Sequence, residues 1–370
     1  MKQAEPHHTV TVVPGDGIGP EVVEAARRAL NATGTPIEWD VQEAGTLVAE
    51  REGTPLPRRV IESVSRNRVA LKGPLTTSTD PAYGSPNVAL REALDLHTTI
   101  RPCRALEGIR GPHSRADLVI VKMNYEDLYD RIGYAGRSAE AAVLRDLIRR
   151  TTGRQIPEDA AMSIRPLSGS AARRVIKKAF EYARAHGRTR VTAVHKAPLI
   201  PETDGLFLEI AREVGEAYGD MKQDDELVDT VCERLVSRPG AYDVLVTPRM
   251  YGDILSGPGA ALAGGPGMAP GVNVGGNCAV FEAAHGTAPR MHGRGRANPI
   301  AMILSGAMML RHLGERDAGE RLEAAVAKVV REGRTVSYDL KPAGGPATTK
   351  EVADAVIAAV ESGDDRLAAP

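Results

Sequence analysis

Cysteine is scarce: Cys103, Cys232 and Cys278 are the only three in 370 residues. They are widely spaced and form no C-x-x-C, so neither a disulfide framework nor a thiolate zinc site is expected, and a reducing compartment fits. An excess of charge of one sign is also missing. The formal net charge of −1 gives no electrostatic basis for binding nucleic acid or an anionic membrane. No uninterrupted apolar run approaches the ~20 residues of a membrane span. The start, MKQAEPHHTVTVV, lacks the basic region and long apolar core of a secretory signal. Internal repeats are absent, as is low-complexity sequence beyond a short polar C-terminus. The rest is ordinary for a globular chain, 42% hydrophobic and 26% charged. Its length can bury a sizeable core in two domains, continuous or interleaved. The expectation is a cytoplasmic, enzyme-sized protein.

What is present alternates. HTVTVVPGDGIGPEVVEAARRAL reads as a strand, a Gly-rich turn and a helix with apolar residues at helical spacing. RVALKGPL, ADLVIVK, RVTAVHK and AYDVLVT read as further strands. NVALREALDL, GSAARRVIKKAFEYARAHG (closed by Gly187), GLFLEIAREVGEAYG, DELVDTVCERLVSRP, IAMILSGAMMLRHLG and KEVADAVIAAVES read as helices. Such alternation predicts an α/β fold with parallel pairing in much of its sheet. GPGAALAGGPGMAPGVNVGGN intersperses glycine with apolar residues and predicts tight backbone packing. RMYGDILSG, Arg249 to Gly257, reads as a loop after the AYDVLVT strand, with Asp253 just beyond that strand.

Several residues are candidates for chemistry on local evidence, each with a plain alternative. PGDGIGPE lacks the G-x-G-x-x-G spacing and the acid ~20 residues on that a dinucleotide fingerprint demands, so it reads as a structural turn and the Rossmann reading is rejected. Arg91 and Arg101 flank a helix and the strand after it; a rigid guanidinium fork suits carboxylates, although most arginines are solvated surface. Lys196 ends an apolar strand, where it is either a desolvated base or a snorkelling surface lysine. Asp229 and Asp253 are surface acids or two ligands of a hard cation that wants several oxygens. Arg290, Arg294 and Arg296 make either a phosphate-contacting loop or a basic surface.

Together, PGDGIGPEV, KGPLTT, NVALREALDLHTTIRP, AFEYARAHGRTRVTAVHKA, TDGLF, YDVLVTPRMYGDILS and EAAHGTAP…ANPIAMILSGAMMLRHLG occur in the order of one family. From about Val10 to about Val360 the chain resembles the isocitrate/isopropylmalate dehydrogenases, the β-decarboxylating dehydrogenases, and is closest to the isocitrate branch. The resemblance implies a large mixed sheet flanked by helices, two interleaved domains and a topology that is not Rossmann. It places the large domain at 1–96 and 264–370, the small domain at 97–263, and a dimer clasp at about 127–168. It also implies a homodimer whose active sites draw on both subunits.

The reaction so implied oxidises a 2-hydroxy-3-carboxy acid, with hydride transfer to NAD or NADP, and then releases CO₂. Mg²⁺ or Mn²⁺ would act as Lewis acid. By the resemblance, Lys196 aids removal of the hydroxyl proton and Tyr129 protonates the enolate carbon. Arg91, Arg101 and Lys122 meet substrate carboxylates, and Asp229 and Asp253 hold the metal, Asp229 from the partner subunit. Ser85 and Asn87 form the Ser-x-Asn that hydrogen-bonds an acidic γ-group in the isocitrate branch. Thr77, His285, Gly286, Thr287, Ala288, Arg290, Asn298 and Tyr338 fall at cofactor positions. Arg290, where NAD-using members often carry an acid, and Tyr338 favour NADP with NAD as the alternative; Lys341 would stand in for an arginine that is Pro342 here.

The departures from the family cluster at the site. Gly257 replaces an aspartate, Lys122 an arginine, Pro198 an asparagine near the nicotinamide, and Arg249 the asparagine before YGD. That clustering predicts a hydroxy-polyacid related to isocitrate, a phosphonate such as 3-phosphonomethylmalate among the candidates. A housekeeping isocitrate dehydrogenase and a catalytically silenced binding or regulatory relative are the alternatives.

Overall fold

The structure is a computed structural model and describes residues 8–77, 84–109, 113, 116–340 and 345–363. Its strands are β1 (His8–Val13), β2 (Ile37–Val41), β3 (Val69–Lys72), β4 (Thr98–Arg104), β5 (Asp117–Met123) and β6 (Gly133–Tyr134). They continue as β7 (Met162–Ser163), β8 (Arg190–His195), β9 (Lys222–Leu227), β10 (Val244–Thr247), β11 (Val272–Val274) and β12 (Ala279–Phe281). The helices are α1 (Gly19–Ala32), α2 (Thr46–Glu52), α3 (Arg58–Asn67), α4 (Pro86–Ala93), α5 (Ala139–Thr152) and α6 (Gly169–Ala185). After them come α7 (Thr203–Glu216), α8 (Val228–Ser237), α9 (Arg249–Leu262), α10 (Ile300–His312), α11 (Arg316–Glu332) and α12 (Thr349–Glu361).

Ten strands form one mixed sheet in the order β2-β1-β3-β12-β11-β4-β5-β10-β8-β9. The three central pairs, β12–β11, β11–β4 and β4–β5, are antiparallel, and the pairs outside them are parallel. β11 and β12 come late in the chain yet lie between β3 and β4, so the two halves of the sequence interleave in the sheet. The expected mixed α/β architecture is therefore present. β6 and β7 form a separate two-stranded ribbon beside α5.

Burial explains why these strands are continuous apolar runs. All four residues of β3 and of β10 are buried, and helices cover both faces, so there is no polar face to alternate with. α10 is buried around most of its circumference. Each fully buried Leu, Ile or Met there contributes about 1.5–3 kcal/mol. An exposed ion pair contributes about 0–1 kcal/mol, so apolar burial and not the many surface pairs holds the domain. Among the described residues no helix is long and apolar enough to cross a membrane.

The PGDGIGPE turn is structural, as expected. Gly15 and Gly17 take positive φ of 78° and 58°. A Cβ on Gly17 would stand 2.0 Å from the Thr287 carbonyl oxygen, and Ile18 N donates to that oxygen at 3.0 Å. Asp16 accepts from Thr46 N at 2.7 Å and Thr76 N at 2.8 Å. This turn ties the loop after β3 to the one after β12.

Two local expectations are corrected. RMYGDILSG is not a loop: it is the first half of α9, entered through Pro248, which fixes an extended residue before the helix. In DELVDTVCERLVSRP, Asp225–Leu227 belong to β9, which pairs with β8, and only the remainder is helical. In both places strand pairing and packing override local pattern. Lys341 and Pro342 lie outside the described residues.

His97, just before β4, is buried, and its Nδ1 lies 2.7 Å from the Thr98 hydroxyl. Burial pushes its pKa from 6.5 down to about 4. Between those values the unfolded chain binds the proton and the folded chain does not, so stability rises with pH across that window and falls on acidification. Urea unfolding of wild type and His97→Gln between pH 7 and pH 4 should show a steeper loss in wild type; parallel curves would contradict this.

Candidate active site

The centre of the sheet carries the first cluster. Glu282, one residue past β12, receives Lys72 Nζ at 2.6 Å, Arg91 Nη2 at 3.0 Å and Asn273 Nδ2 at 2.6 Å. Burial alone would raise its pKa, but the Lys72 ammonium and Arg91 hold the carboxyl well below the ordinary carboxylate range. Lys72 also donates to Asn87 Oδ1 at 3.1 Å, and Asn87 Nδ2 donates to the Leu75 carbonyl at 3.0 Å. Ser85 Oγ and Thr77 Oγ1 are 3.0 Å apart.

Lys122 in β5 is only 1% exposed. Its ammonium is 3.0 Å from Asp253 and 3.3 Å from Asn124 Oδ1. Burial, opposed by Asp253 and assisted by Arg91 and Arg101, brings its pKa from 10.5 to about 7. Burial would raise the Asp253 acid, yet Lys122 and Arg101 hold it below its ordinary value. The Tyr129 phenol lies beside Asp253, and burial with that negative neighbour pushes it up to about 12. Over the Tyr129 ring, 4.5 Å from its centroid, stands the guanidinium of Arg249. Thus Arg91, Arg101, Lys122, Tyr129 and Asp253 share one electrostatic cluster, with Arg249 added to it.

Lys196 and Asp229 form a second cluster. Lys196 follows β8, Asp229 opens α8, and their side chains are ion-paired. Asp229 is 63% exposed and has its acid strengthened mainly by Lys196. No hydrogen bond or ion pair joins this pair to Asp253 among the described residues. The two expected metal carboxylates thus sit in separate ion pairs, Asp253 with Lys122 and Asp229 with Lys196.

The fit to a divalent cation follows from that geometry. Carboxylate oxygens are hard donors suited to Mg²⁺ or Mn²⁺. Among the described residues, however, no three potential ligands cluster in one chain. Gly257 lies one helical turn beyond Asp253 on the same side of α9, and a Cβ there would meet only open space. The residues fit a cation if the 35%-exposed Asp253 is completed from a second chain and by ligand oxygens.

A third network links these parts. Arg165 Nε donates to Asp127 Oδ1 at 2.7 Å, and Nη1 is paired with Asp204. Both carboxylates are fully buried. Asp204 Oδ2 also accepts from Lys196 N at 2.6 Å and Tyr251 Oη at 2.9 Å, while Asp127 Oδ2 accepts from Met250 N at 2.9 Å. One arginine thereby holds the backbone of Lys196, the short 3-10 turn 127–130 that carries Tyr129, and the start of α9. The turn begins with two positive-φ residues, Glu126 at 59° and Asp127 at 66°. Each such residue costs on the order of 1–3 kcal/mol and persists because its surroundings over-determine it. Sequence reasoning missed Asp127, Arg165, Asp204, Lys72 and Glu282. The TDGLF stretch and the KGP strand end were visible signals, but neither reveals its partner.

The remaining expected positions lie around the loop after β12. His285 Nδ1 is 3.0 Å from the Gly286 carbonyl, and its Nε2 is buried without a partner, a group left for a ligand. Burial lowers the His285 pKa, which favours the neutral ring. Ala288 adopts φ 40° and leads into the exposed Arg290. Asn298 is buried and donates to Asp339 at 3.0 Å. Tyr338 is half-exposed, with Arg296 5.8 Å from its ring centroid.

Comparison with known proteins gives a consistent answer. Residues 9–356 match the family model for isocitrate/isopropylmalate dehydrogenase. The chain is 38% identical over 349 residues to the Arabidopsis thaliana mitochondrial isocitrate dehydrogenase [NAD] catalytic subunit 5, covering 94% of this chain and 87% of that one. It is equally 38% identical, over 356 residues, to a mitochondrial regulatory subunit of isocitrate dehydrogenase [NAD] from Dictyostelium discoideum, with 95% and 91% covered. The crystal structure of isocitrate dehydrogenase from Methylococcus capsulatus superposes with a TM-score of 0.87 at 43% identity, covering 96% of this chain and 99% of that chain.

Removing one partner of a buried ion pair typically costs about 3–5 kcal/mol because a charge is left uncompensated. Arg165→Met leaves two such carboxylates, so a loss of about that size is expected in urea unfolding. A loss under about 1 kcal/mol would show that the network is not structural.

Proposed function

The chain belongs to the isocitrate/isopropylmalate dehydrogenase family, and on that footing we propose that it oxidatively decarboxylates an isocitrate-like 2-hydroxy-3-carboxy acid with an acidic γ-group. The observation that carries this reading is the convergence of Arg91, Arg101, Tyr129 and Asp253 in one cluster. Guanidinium forks match carboxylates, and an apolar γ-substituent would leave cations in that cluster unpaired. Ser85 and Asn87 border it through Thr77 and Lys72.

Each residue has a task in the balanced reaction. The substrate hydroxyl loses its proton with the aid of Lys196, and a nicotinamide, when bound, would accept the hydride from C2. The C3–carboxylate bond then breaks, CO₂ departs, and the electron pair remains as an enolate. Tyr129 delivers a proton to C3; its phenol, pushed up to about 12, carries that proton at neutral pH. Asp253 and the partner subunit's Asp229 would hold Mg²⁺ or Mn²⁺, which when bound supplies the Lewis acidity that favours alkoxide and enolate.

Lys196 and Asp229 are ion-paired within one chain, so whichever subunit supplies one supplies the other. Exposed apolar residues support a homodimer that closes the site. Val143 and Leu147 sit four residues apart on α5, and Val236 and Ile254 are open on α8 and α9. Arg290 supports NADP because it is exposed, with no carboxylate partner among the described residues. The relatives' names specify NAD instead, so the cofactor choice rests on Arg290 alone.

Reduced-cofactor absorbance tests the reaction, with isocitrate, 3-phosphonomethylmalate and 3-isopropylmalate each supplied with Mg²⁺ or Mn²⁺. An acidic substrate should exceed 3-isopropylmalate in kcat/KM by on the order of 100-fold or more. A preference for 3-isopropylmalate would overturn the reading, and inactivity on all three would favour a silenced relative. Lys196→Met and Tyr129→Phe should each lower kcat by about 100-fold or more. Refolded together, the two variants should regain about one quarter of wild-type activity, since about half the dimers are hybrids with one intact site of two. No regain would refute the shared site. Arg290→Asp should lower kcat/KM for NADP by about 10–100-fold, the worth of one charge-assisted phosphate contact, and spare NAD. An unchanged NADP/NAD ratio would remove the case for NADP.

A further inference from the structure

We infer that Arg249, rather than Lys122, supplies the third substrate cation, so that the site seats a tri-acid with one acidic arm against Arg249 and the Tyr129 ring. This rests on the reading above and specifies its substrate class.

Arg249 is 3% exposed. A buried cation normally has a carboxylate, as elsewhere in this chain: Lys72 and Arg91 share Glu282, Lys122 has Asp253, and Arg165 has Asp127 and Asp204. Arg249 has none within ion-pair reach among the described residues; what it meets is the face of Tyr129. Arg101 likewise has no carboxylate within ion-pair reach among them. Asp130 and Asp253 act on Arg249 only at longer range, and Arg91 repels it. An uncompensated buried cation is costly, and a ring face recovers only about 0.5–2 kcal/mol.

Its place in α9 sharpens the point. Arg249 is the first helical residue, where the backbone carries partial positive charge, so a cation there opposes the helix dipole. Local stability gives no reason for an arginine at that position, and such broken rules concentrate at functional sites. Lys122, which the sequence placed on the substrate, is fully buried with its ammonium taken by Asp253 and Asn124. Arg91 gives Glu282 a single nitrogen at 3.0 Å. Arg91, Arg101 and Arg249 thus present three guanidinium forks to three acidic groups.

Titration calorimetry with non-reacting ligands tests this without turnover. Tricarballylate carries three carboxylates, and 2-methylsuccinate is the same molecule with one terminal carboxylate replaced by hydrogen. Arg249→Met should weaken tricarballylate by about 10–100-fold and leave 2-methylsuccinate within about twofold, with Arg249→Lys in between. Unchanged tricarballylate affinity in Arg249→Met, equal loss of both ligands, or wild type that binds both equally would each overturn the inference. Thermal unfolding of the variants separates loss of fold from loss of binding. If wild type turns over none of the acids while tricarballylate binding depends on Arg249, the tri-acid site stands and the dehydrogenase reading falls. Turnover of isocitrate that is indifferent to Arg249→Met does the reverse.

Discussion

The Arg165 ion-pair network is the constraint on which the site's geometry depends. Two fully buried carboxylates, Asp127 and Asp204, cannot both remain ionised without the guanidinium between them. Once that arginine is in place, their remaining oxygens fix backbone amides at Lys196 and Met250 and the hydroxyl of Tyr251. Three segments far apart in sequence are therefore oriented by one side chain. The left-handed residues before Tyr129 are tolerable for the same reason, because Asp127 is anchored from both directions.

Around that frame, positive charge falls into two groups. The lysines face carboxylates: Lys72 on Glu282, Lys122 on Asp253 and Lys196 on Asp229. The guanidinia of Arg101 and Arg249 face none among the described residues. A compact ammonium is satisfied by one carboxylate and a neutral oxygen, whereas a planar fork leaves several donors aimed outward. Lys72 and Lys122 are thereby taken up within the protein, while the forks of Arg101 and Arg249 are left for a ligand. This division explains how one arginine can become lysine without emptying the site of charge, since another arginine stands close by on α9.

Much of the fold was legible because its elements are governed by short-range rules. Continuous apolar runs marked β1, β3, β5, β8 and β10, and helical spacing marked α1, α6, α7, α10 and α12. The failures came where tertiary pairing outweighed local pattern. KQDDEL carries no strand periodicity and becomes β9 because β8 offers its edge. RMYGDILSG, rich in turn formers, continues as a helix because Pro248 and Asp127 organise its start.

For the site, local residue type and spacing left Arg91, Arg101, Lys196, Asp229 and Asp253 open between function and surface. Only the resemblance, carried by the order of the motifs, made them and Tyr129 candidates and marked Gly257, Lys122 and Arg249 as departures. Which charges pair was decided only by the tertiary structure. Lys122 in β5 meets Asp253 in α9, Arg91 meets Glu282 at a separation of 191 residues, and Arg249 meets an aromatic ring in place of an acid. Ion pairing depends on distance in space and on burial, and neither is written in the local order of residues.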